Sequence, residues 1–286
     1  MIWAYAVTTC TQRLYTTFPY TLSDLAMAGF DEPHVSLDSN QLCSLEQVAG
    51  CKSLTTHYPA LGAFGNWFAT LWELRVRNPK ATMFAIFQDD VIVTYGLREY
   101  LERNPCPDNG YMNLFTAPSN QDLFGSADDV NWKEARTLTD ETDLQTGRGA
   151  LGLVFSKDVV GKLLASPILT EKPLTVRNPT KNIDGAVVQA LNRVGVREYV
   201  HRTSLVQHRE GESTVGRLVH RQATSFEPYI TGLTHREEDS QATDLPEQVD
   251  ETRRTEDSAG DLQPAPEADD TAAGITAVYA EEQQPE

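Results

Sequence analysis

The stretch Phe84-Ala85-Ile86-Phe87-Gln88-Asp89-Asp90-Val91 limits the folds open to this chain more than any other. A short apolar run rich in Phe and Ile, ending in two carboxylates, has the length and composition of a strand buried on both faces. Such strands belong to parallel α/β sheets, which bind ligands at the carboxyl ends of their strands. Asp89 and Asp90 fall at that end. Adjacent carboxylates repel each other, and the usual reason for keeping them is a divalent cation bridging to phosphate oxygens. The ordinary alternative is a helix start, with an Asp before Val91 acting as N-cap.

The flanking sequence supports an α/β domain. Residues 2–9 alternate and are rich in Trp, Tyr, Val and Thr, which predicts a strand. Pro19 to Gly29 predicts a helix, with Leu22, Leu25 and Ala26 on one face and Gly29 as its stop. His34 to Leu37 reads as a second strand ending at Asp38, so the first forty residues form a parallel crossover unit. Residues 39–58 are polar and read as loop. Leu61 to Arg77 reads as a long helix with Phe64, Phe68, Leu71, Trp72 and Leu74 at helical spacing, and Asn78-Pro79 ends it. On this reading the Asp pair closes the third strand of a β-α-β-α-β-α half, Gly96 to Arg103 being its last helix. A strand is expected over Tyr111–Phe115, a long functional loop over 117–146, and an apolar strand with a Gly-rich start over Gly147–Phe155. Ile183 to Val194 reads as a helix, and Val196 to His208 as one or two final strands.

Charge divides the chain. Residues 235–286 hold 16 acidic and 3 basic residues, whereas residues 1–234 hold 25 and 21, so the acidity belongs mostly to the tail. Low hydrophobicity with high net charge cannot offset ordering entropy, and the tail is expected to be disordered. The 1–234 body is long enough for one large α/β domain. It lacks the basic excess of a nucleic-acid binder, apart from a local group of Arg202, Arg209, Arg217 and Arg221. Cys10, Cys43, Cys51 and Cys106 form no CxxC pair and read as reduced thiols, with a Cys43–Cys51 disulfide as the less favoured option. The first residues look like a strand rather than a signal peptide, and no apolar stretch reaches membrane-spanning length. The expectation is a soluble cytoplasmic protein of undetermined oligomeric state.

Four pieces in order resemble the metal-dependent nucleotide-sugar glycosyltransferases of the GT-A type. Val7-Thr8-Thr9 with Arg13 is similar to their first strand and nucleotide loop. Gln88-Asp89-Asp90 is similar to the carboxylate motif written Asp-x-Asp or Glu-Asp-Asp. Gly147-Arg148-Gly149-Ala150-Leu151 is similar to the glycine-rich strand beside the donor sugar. Ser204-Leu205-Val206-Gln207-His208, followed by Ser213-Thr214, resembles the late segment of the N-acetylglucosaminyltransferase IV group and related bacterial and phage enzymes. The resemblance spans about residues 2–228. Gln88 departs from the common Glu, and Glu210 stands where the family often has Gly, with Gly following at 211.

The resemblance implies an α/β, Rossmann-like domain with a mainly parallel sheet, and inverting transfer of a sugar from a nucleotide diphosphate to a hydroxyl. The leaving diphosphate develops charge, which Mn²⁺ or Mg²⁺ neutralises. Asp90 and His208 would be the metal ligands, a donor set that favours Mn²⁺. Thr8, Thr9, Arg13, Asp38, Asn66, Asp89, Gly149 and Ser213 would contact the nucleotide sugar. Asp184 would be the general base, with a helix N-cap as the ordinary alternative; Glu141 and Asp143 are weaker candidates. Trp132, in a polar loop, would stack on a sugar, while Trp67, Phe68 and Trp72 read as core. The acceptor stays open among glycan, lipid, small molecule, protein and modified DNA base. One rival is a nucleotidyltransferase of related fold, which normally shows a Gly-rich basic signature; residues 8–13 here read Thr-Thr-Cys-Thr-Gln-Arg. Another rival is a non-catalytic nucleotide-sugar or glycan-binding module.

Overall fold

The computed structural model describes residues 1–42, 48, 50–125, 130–135, 149–170, 183–209 and 222–229. In chain order the elements are β1 (Trp3–Cys10), α1 (Phe18–Met27), β2 (His34–Asp38), β3 (Ser53–His57), α2 (Gly62–Arg77), β4 (Met83–Gln88), β5 (Val91–Val93), α3 (Leu97–Arg103), β6 (Gly110–Asn113), α4 (Pro118–Gln121), β7 (Trp132–Glu134), β8 (Gly152–Ser156), α5 (Lys157–Leu164), α6 (Pro167–Thr170), α7 (Ile183–Asn192), β9 (Arg197–His201) and β10 (Val206–His208). The acidic stretch from residue 235 onward lies outside the described residues.

Strand β4 occupies the middle of an eight-stranded sheet of order β3-β2-β1-β4-β8-β6-β9-β7. Its alternation accounts for the unbroken apolar run. Phe84 and Ile86 enter one layer with Trp67, Leu71, Val160 and Val187, and Ala85 and Phe87 enter the other with Leu25, Phe30, Leu97 and Leu205. Burying a side chain such as Phe84 or Phe87 contributes about 1.5–3 kcal/mol. Pairing is parallel along β3-β2-β1-β4 and between β6 and β9, and antiparallel where β8 joins β4 to β6 and where β7 joins β9. The sheet is therefore mixed and mainly parallel, as expected. A second, two-stranded sheet pairs β5 with β10 antiparallel.

Two local devices aim the chain at the site. Helix α1 ends in a Schellman motif: Gly29, at φ +88°, donates to Ala26 O, and Phe30 donates to Leu25 O. That turn sets the Phe30 ring against Trp3, Tyr5 and Phe87, with centroids 5.2–5.5 Å apart. At the end of β2, the Asp38 carboxylate accepts from the backbone N–H groups of Leu61 (2.6 Å) and Gly62 (2.9 Å), capping the start of α2.

Several expectations are corrected. The 39–58 stretch contains strand β3, so the Asp pair follows the fourth strand rather than the third. Every residue of β3 is half-buried at a sheet edge, which removes the apolar alternation that would announce it. The supposed 117–146 loop holds α4 and β7, and its residues 126–129 and 136–146 lie outside the described residues. The Gly-rich strand begins only at Gly152 and runs antiparallel to β4. On α1 the buried face is Phe18, Thr21 and Leu25, with Ala26 exposed. Trp67 is core, but Trp72 is 54% exposed. Cys51 is a free thiol donating to Val48 O, and Cys43 lies outside the described residues. Among the described residues, no helix is long and apolar enough to cross a membrane.

Candidate active site

The site is built where β1 and β4 end side by side. Their register pairs Thr8 with Gln88, which sets Thr9 beside Asp89. Asp89 Oδ2 accepts from Thr9 Oγ1 at 2.7 Å, and Thr8 Oγ1 donates to Phe87 O at 3.3 Å. The chain leaving β1 makes a single 3₁₀ turn, Thr11–Arg13, that sends Arg13 back over the carboxylates. Arg13 Nη1 lies 2.7 Å from Asp89 Oδ1 and 2.7 Å from Asp90 Oδ2. Asp89 and Asp90 are only 4% and 3% exposed, so the charges interact at reduced dielectric. The N-cap alternative fails here, because Asp90 is followed by strand β5. The turn is tied from outside: Thr21 Oγ1 is within hydrogen-bonding distance of Asp89 O and Val91 O, and Arg209 N donates to Asp90 O at 2.6 Å.

The two carboxylates differ in basicity. Burial raises the Asp89 carboxyl above its ordinary value, and neighbouring Asp90 adds to this while Arg13 and Thr9 oppose it. Burial also acts against ionisation of Asp90, but His208 and Arg13 outweigh it and hold that carboxyl below its ordinary value. Asp90 is thus the better resident anion of the pair.

His208 arrives from the far end of the chain. The β5–β10 pairing sets it opposite Val91, with Nδ1 3.6 Å from Asp90 Oδ2. Gln207 fastens the segment: its Oε1 accepts from His208 N and Ala223 N, and its Nε2 donates to Ala223 O at 2.8 Å. The Phe115 ring stands edge-on to His208, with centroids 5.9 Å apart.

The other flank is formed by β8 and α7. Gly149 has φ +105°, and a Cβ there would sit 2.8 Å from the Phe115 ring. Its N–H donates to Asp184 Oδ2 at 2.9 Å, and Asp184 Oδ1 accepts from Gly185 N at 2.9 Å. Asp184 is therefore not confined to capping. It sits inside the first turn of α7 and reaches across to the strand side. Phe115 touches both flanks, packing on Gly149 and on His208.

The structure gathers Thr9, Arg13, Asp89, Asp90 and His208 into one network, and Gly149 with Asp184 into a second. Other expected contacts have structural partners. Asp38 caps α2. Asn66, 3% exposed, donates toward Thr9 O (3.4 Å) and Ser36 O (3.1 Å), and its Oδ1 faces His57 Nδ1 at 2.6 Å, so it joins β1, β2 and β3. Trp132 belongs to β7 rather than to a loop, packs edge-on against His201 at 5.0 Å and donates to Asn104 O, so its partly buried ring is fastened at the sheet edge. Ser213, Glu141, Asp143, Gly147, Arg148, Arg217 and Arg221 lie outside the described residues. One group was missed from the sequence. Glu198, 5% exposed on β9, accepts from Asn113 Nδ2 at 2.7 Å. Its signal was a Glu in phase with Val196 and Val200 on a period-two strand.

The donor set fits a divalent cation that shares its coordination with phosphate. Two atoms bound to one small octahedral ion lie about 3 Å apart, and the 3.6 Å between Asp90 Oδ2 and His208 Nδ1 is near that value. Among the described residues no group of three or more His, Cys, Asp and Glu is poised as a closed cage. An ion held here would therefore need further ligands from substrate and water, as Mg²⁺ and Mn²⁺ with nucleotides commonly have.

No protein-family model matches the sequence, and no curated protein matches it. Solved structures show partial similarity. A glucose-1-phosphate thymidylyltransferase from Bacillus anthracis, in complex with sucrose, aligns over 72% of this chain and 89% of its own, at 12% identity and TM-score 0.44. The mannose-1-phosphate geranyltransferase of Thermus thermophilus aligns over 70% and 74%, at 12% identity and TM-score 0.41. HddC from Yersinia pseudotuberculosis aligns over 73% and 93%, at 11% identity and TM-score 0.40.

Proposed function

We propose that this chain is a GT-A-type glycosyltransferase that moves a sugar from a nucleotide diphosphate to a hydroxyl acceptor with Mn²⁺ or Mg²⁺, with inversion. The late segment of the sequence brings the reading nearest the N-acetylglucosaminyltransferase IV group. The observation that carries it is the β5–β10 pairing, which brings His208 to 3.6 Å from Asp90 beside the carboxyl ends of β1 and β4. Carboxylate and imidazole from segments more than a hundred residues apart converge where a parallel sheet receives its ligand.

Each residue then has a task. Asp90 and His208 would hold the cation, which when bound offsets charge on the departing diphosphate. Arg13 keeps the two carboxylates together and in place before any ion or donor arrives. Asp89, with Thr9 and Arg13 on its two oxygens, fixes the turn that aims Asp90. Gly149 lets the backbone approach a sugar closely while its N–H orients Asp184. Asp184, an acceptor of two backbone N–H groups, is set to take the proton of the attacking hydroxyl.

A donor screen tests the reading. Incubation with common nucleotide sugars and Mn²⁺ is expected to release nucleoside diphosphate from one of them, and chelation by EDTA to stop it. Release of pyrophosphate from a nucleoside triphosphate and a sugar phosphate would instead make it a nucleotidyltransferase. Metal-dependent binding without turnover would make it a binding module.

A further inference from the structure

Helix α1 reaches both halves of the Asp90–His208 pair. Thr21, fully buried on α1, holds the turn that carries the carboxylates, its Oγ1 lying 2.9 Å from Asp89 O and 3.1 Å from Val91 O. Asp24 stands three residues further on, and so on the same face of the helix. Its Oδ2 accepts from Arg209 Nη2, and the two side chains are only 18% and 24% exposed. The Arg209 guanidinium also lies over the Tyr20 ring, 5.4 Å from its centroid, and Tyr20 is one helical turn before Asp24. Arg209 follows His208 directly, and its own N–H donates to Asp90 O at 2.6 Å. This one residue therefore joins α1, the turn of Asp90 and the end of β10.

We propose that Asp24 is a positioning residue: by drawing Arg209 onto α1 it fixes the chain just beyond His208, and so sets the imidazole at the distance from Asp90 that one cation can span. The role rests on the proposed metal site of Asp90 and His208. Strand β10 is three residues long and His208 is its last, so the β5–β10 ladder stops at the residue whose place matters most. Gln207 fastens the strand before His208, through Ala223, and Asp24 fastens the chain after it. A charge-assisted bond held partly out of water is stronger than an exposed ion pair. Burial raises the Asp24 carboxyl and Arg209 opposes this, so the carboxylate depends on its partner for its charge. Groups that share one ion must be held to within about 0.5 Å, by residues locked in their turn by further bonds. Thr21 and Asp24 meet that need from one helix, which becomes the common reference for the carboxylate and the imidazole.

Mn²⁺ with inorganic pyrophosphate tests this on the full chain, with no choice of donor base or sugar. Affinity is read from the free-ion electron paramagnetic resonance signal, and imidazole on the bound ion from the nitrogen modulation of its spin echo. Asp24→Asn and Arg209→Gln are each expected to lower affinity about tenfold, the usual size of an effect exerted on a metal ligand by its outer partner. The double variant should lose no more than either single one, because the two residues act as one link. Both single variants should also weaken the nitrogen modulation at saturating Mn²⁺. That signal comes from folded, loaded molecules, so lower stability alone leaves it intact. His208→Ala should abolish it. Wild-type affinity and modulation in Asp24→Asn, beside weaker binding and no modulation in His208→Ala, would overturn the role of Asp24 and leave the metal site standing. Additive losses in the double variant would overturn the action through Arg209. Full modulation in His208→Ala, or no binding by the wild type, would overturn the metal site and the role of Asp24 with it.

Discussion

Arg13 Nη1 donates to Asp89 Oδ1 at 2.7 Å, and both residues are less than a tenth exposed. The same nitrogen lies 2.7 Å from Asp90, so one guanidinium holds two adjacent carboxylates that would otherwise repel each other. From the sequence the pair reads as a cation site or a helix cap; in the structure a protein cation, Arg13, holds both carboxylates.

This predicts a metal-dependent rescue. Arg13→Ala leaves two buried carboxylates without their cation, a change that costs about 3–5 kcal/mol. Thermal unfolding without divalent ions is expected to show a large drop in Tm. Mn²⁺ should restore more of it in the variant than in the wild type, because binding to the native state stabilises it by mass action. Equal shifts with and without Arg13 would remove Asp90 and His208 from the metal site.

A second prediction concerns His208 and its fastener. His208→Ala is expected to weaken Mn²⁺-dependent nucleotide diphosphate binding, and Asp90→Ala to abolish it. Gln207→Ala removes the bonds to Ala223 and to the His208 amide, and leaves backbone groups without their acceptor at a cost of about 1–3 kcal/mol. It should lower both stability and metal affinity. Calorimetric titration of Mn²⁺ with nucleotide separates the three variants.

Much of this was legible in the sequence, for physical reasons. Strand β4 announced itself because apolar layers cover both of its faces. Strand β3 did not, since its residues are half-buried at an edge. Trp72 followed helical spacing and is exposed, whereas its neighbour Leu71 is fully buried, because spacing defines a stripe but not its width. Asp90 and Asp184 were readable as carboxylates at strand and helix ends. The structural partners of Asp38 and Asn66, the start of α2 and the strands β1 and β2, were not readable, because they lie far away in sequence. Glu198 was missed since a single Glu on a strand carries no sign of what packs over it.

The pH dependence of stability follows from Glu198. Its carboxyl is raised to about 7 from an ordinary 4.5, so the native state binds the proton more tightly than the unfolded chain does. That contribution is complete below pH 4.5 and is lost as pH rises through about 7. It amounts to on the order of 3 kcal/mol. Glu198→Gln has no such proton. Urea unfolding of the two proteins at pH 5 and pH 8.5 is expected to show wild type losing stability relative to the variant by roughly that amount. A constant difference across pH would contradict the assignment.

Gly149 offers a steric test of the sugar-side flank. Its φ of +105° and the 2.8 Å approach of Phe115 leave no room for a Cβ. Gly149→Ala should cost about 1–3 kcal/mol through backbone strain. It should also displace the Phe115 ring. If the flank faces the donor sugar, affinity for the nucleotide sugar is expected to fall while affinity for the free nucleoside diphosphate with Mn²⁺ changes little. Equal losses for both ligands would move the sugar away from Gly149.

The sharpest contrast is at Asp184. Asn keeps one oxygen that can accept from the Gly149 N–H, so Asp184→Asn can preserve the link to Gly149 and removes the basic carboxylate together with the acceptor of the Gly185 N–H. Nucleotide and metal binding should survive, since neither Asp90 nor His208 is touched. Transfer to the acceptor is expected to fall by about 10²–10⁴, the usual size of a general-base effect. Asp184→Ala should lose the same catalysis and also the Gly149 bond, lowering Tm further than Asp184→Asn does. Single-turnover transfer alongside equilibrium binding separates the two losses. Near wild-type transfer by Asp184→Asn would make this carboxylate a brace for Gly149 and direct the search for the base to Glu141 and Asp143.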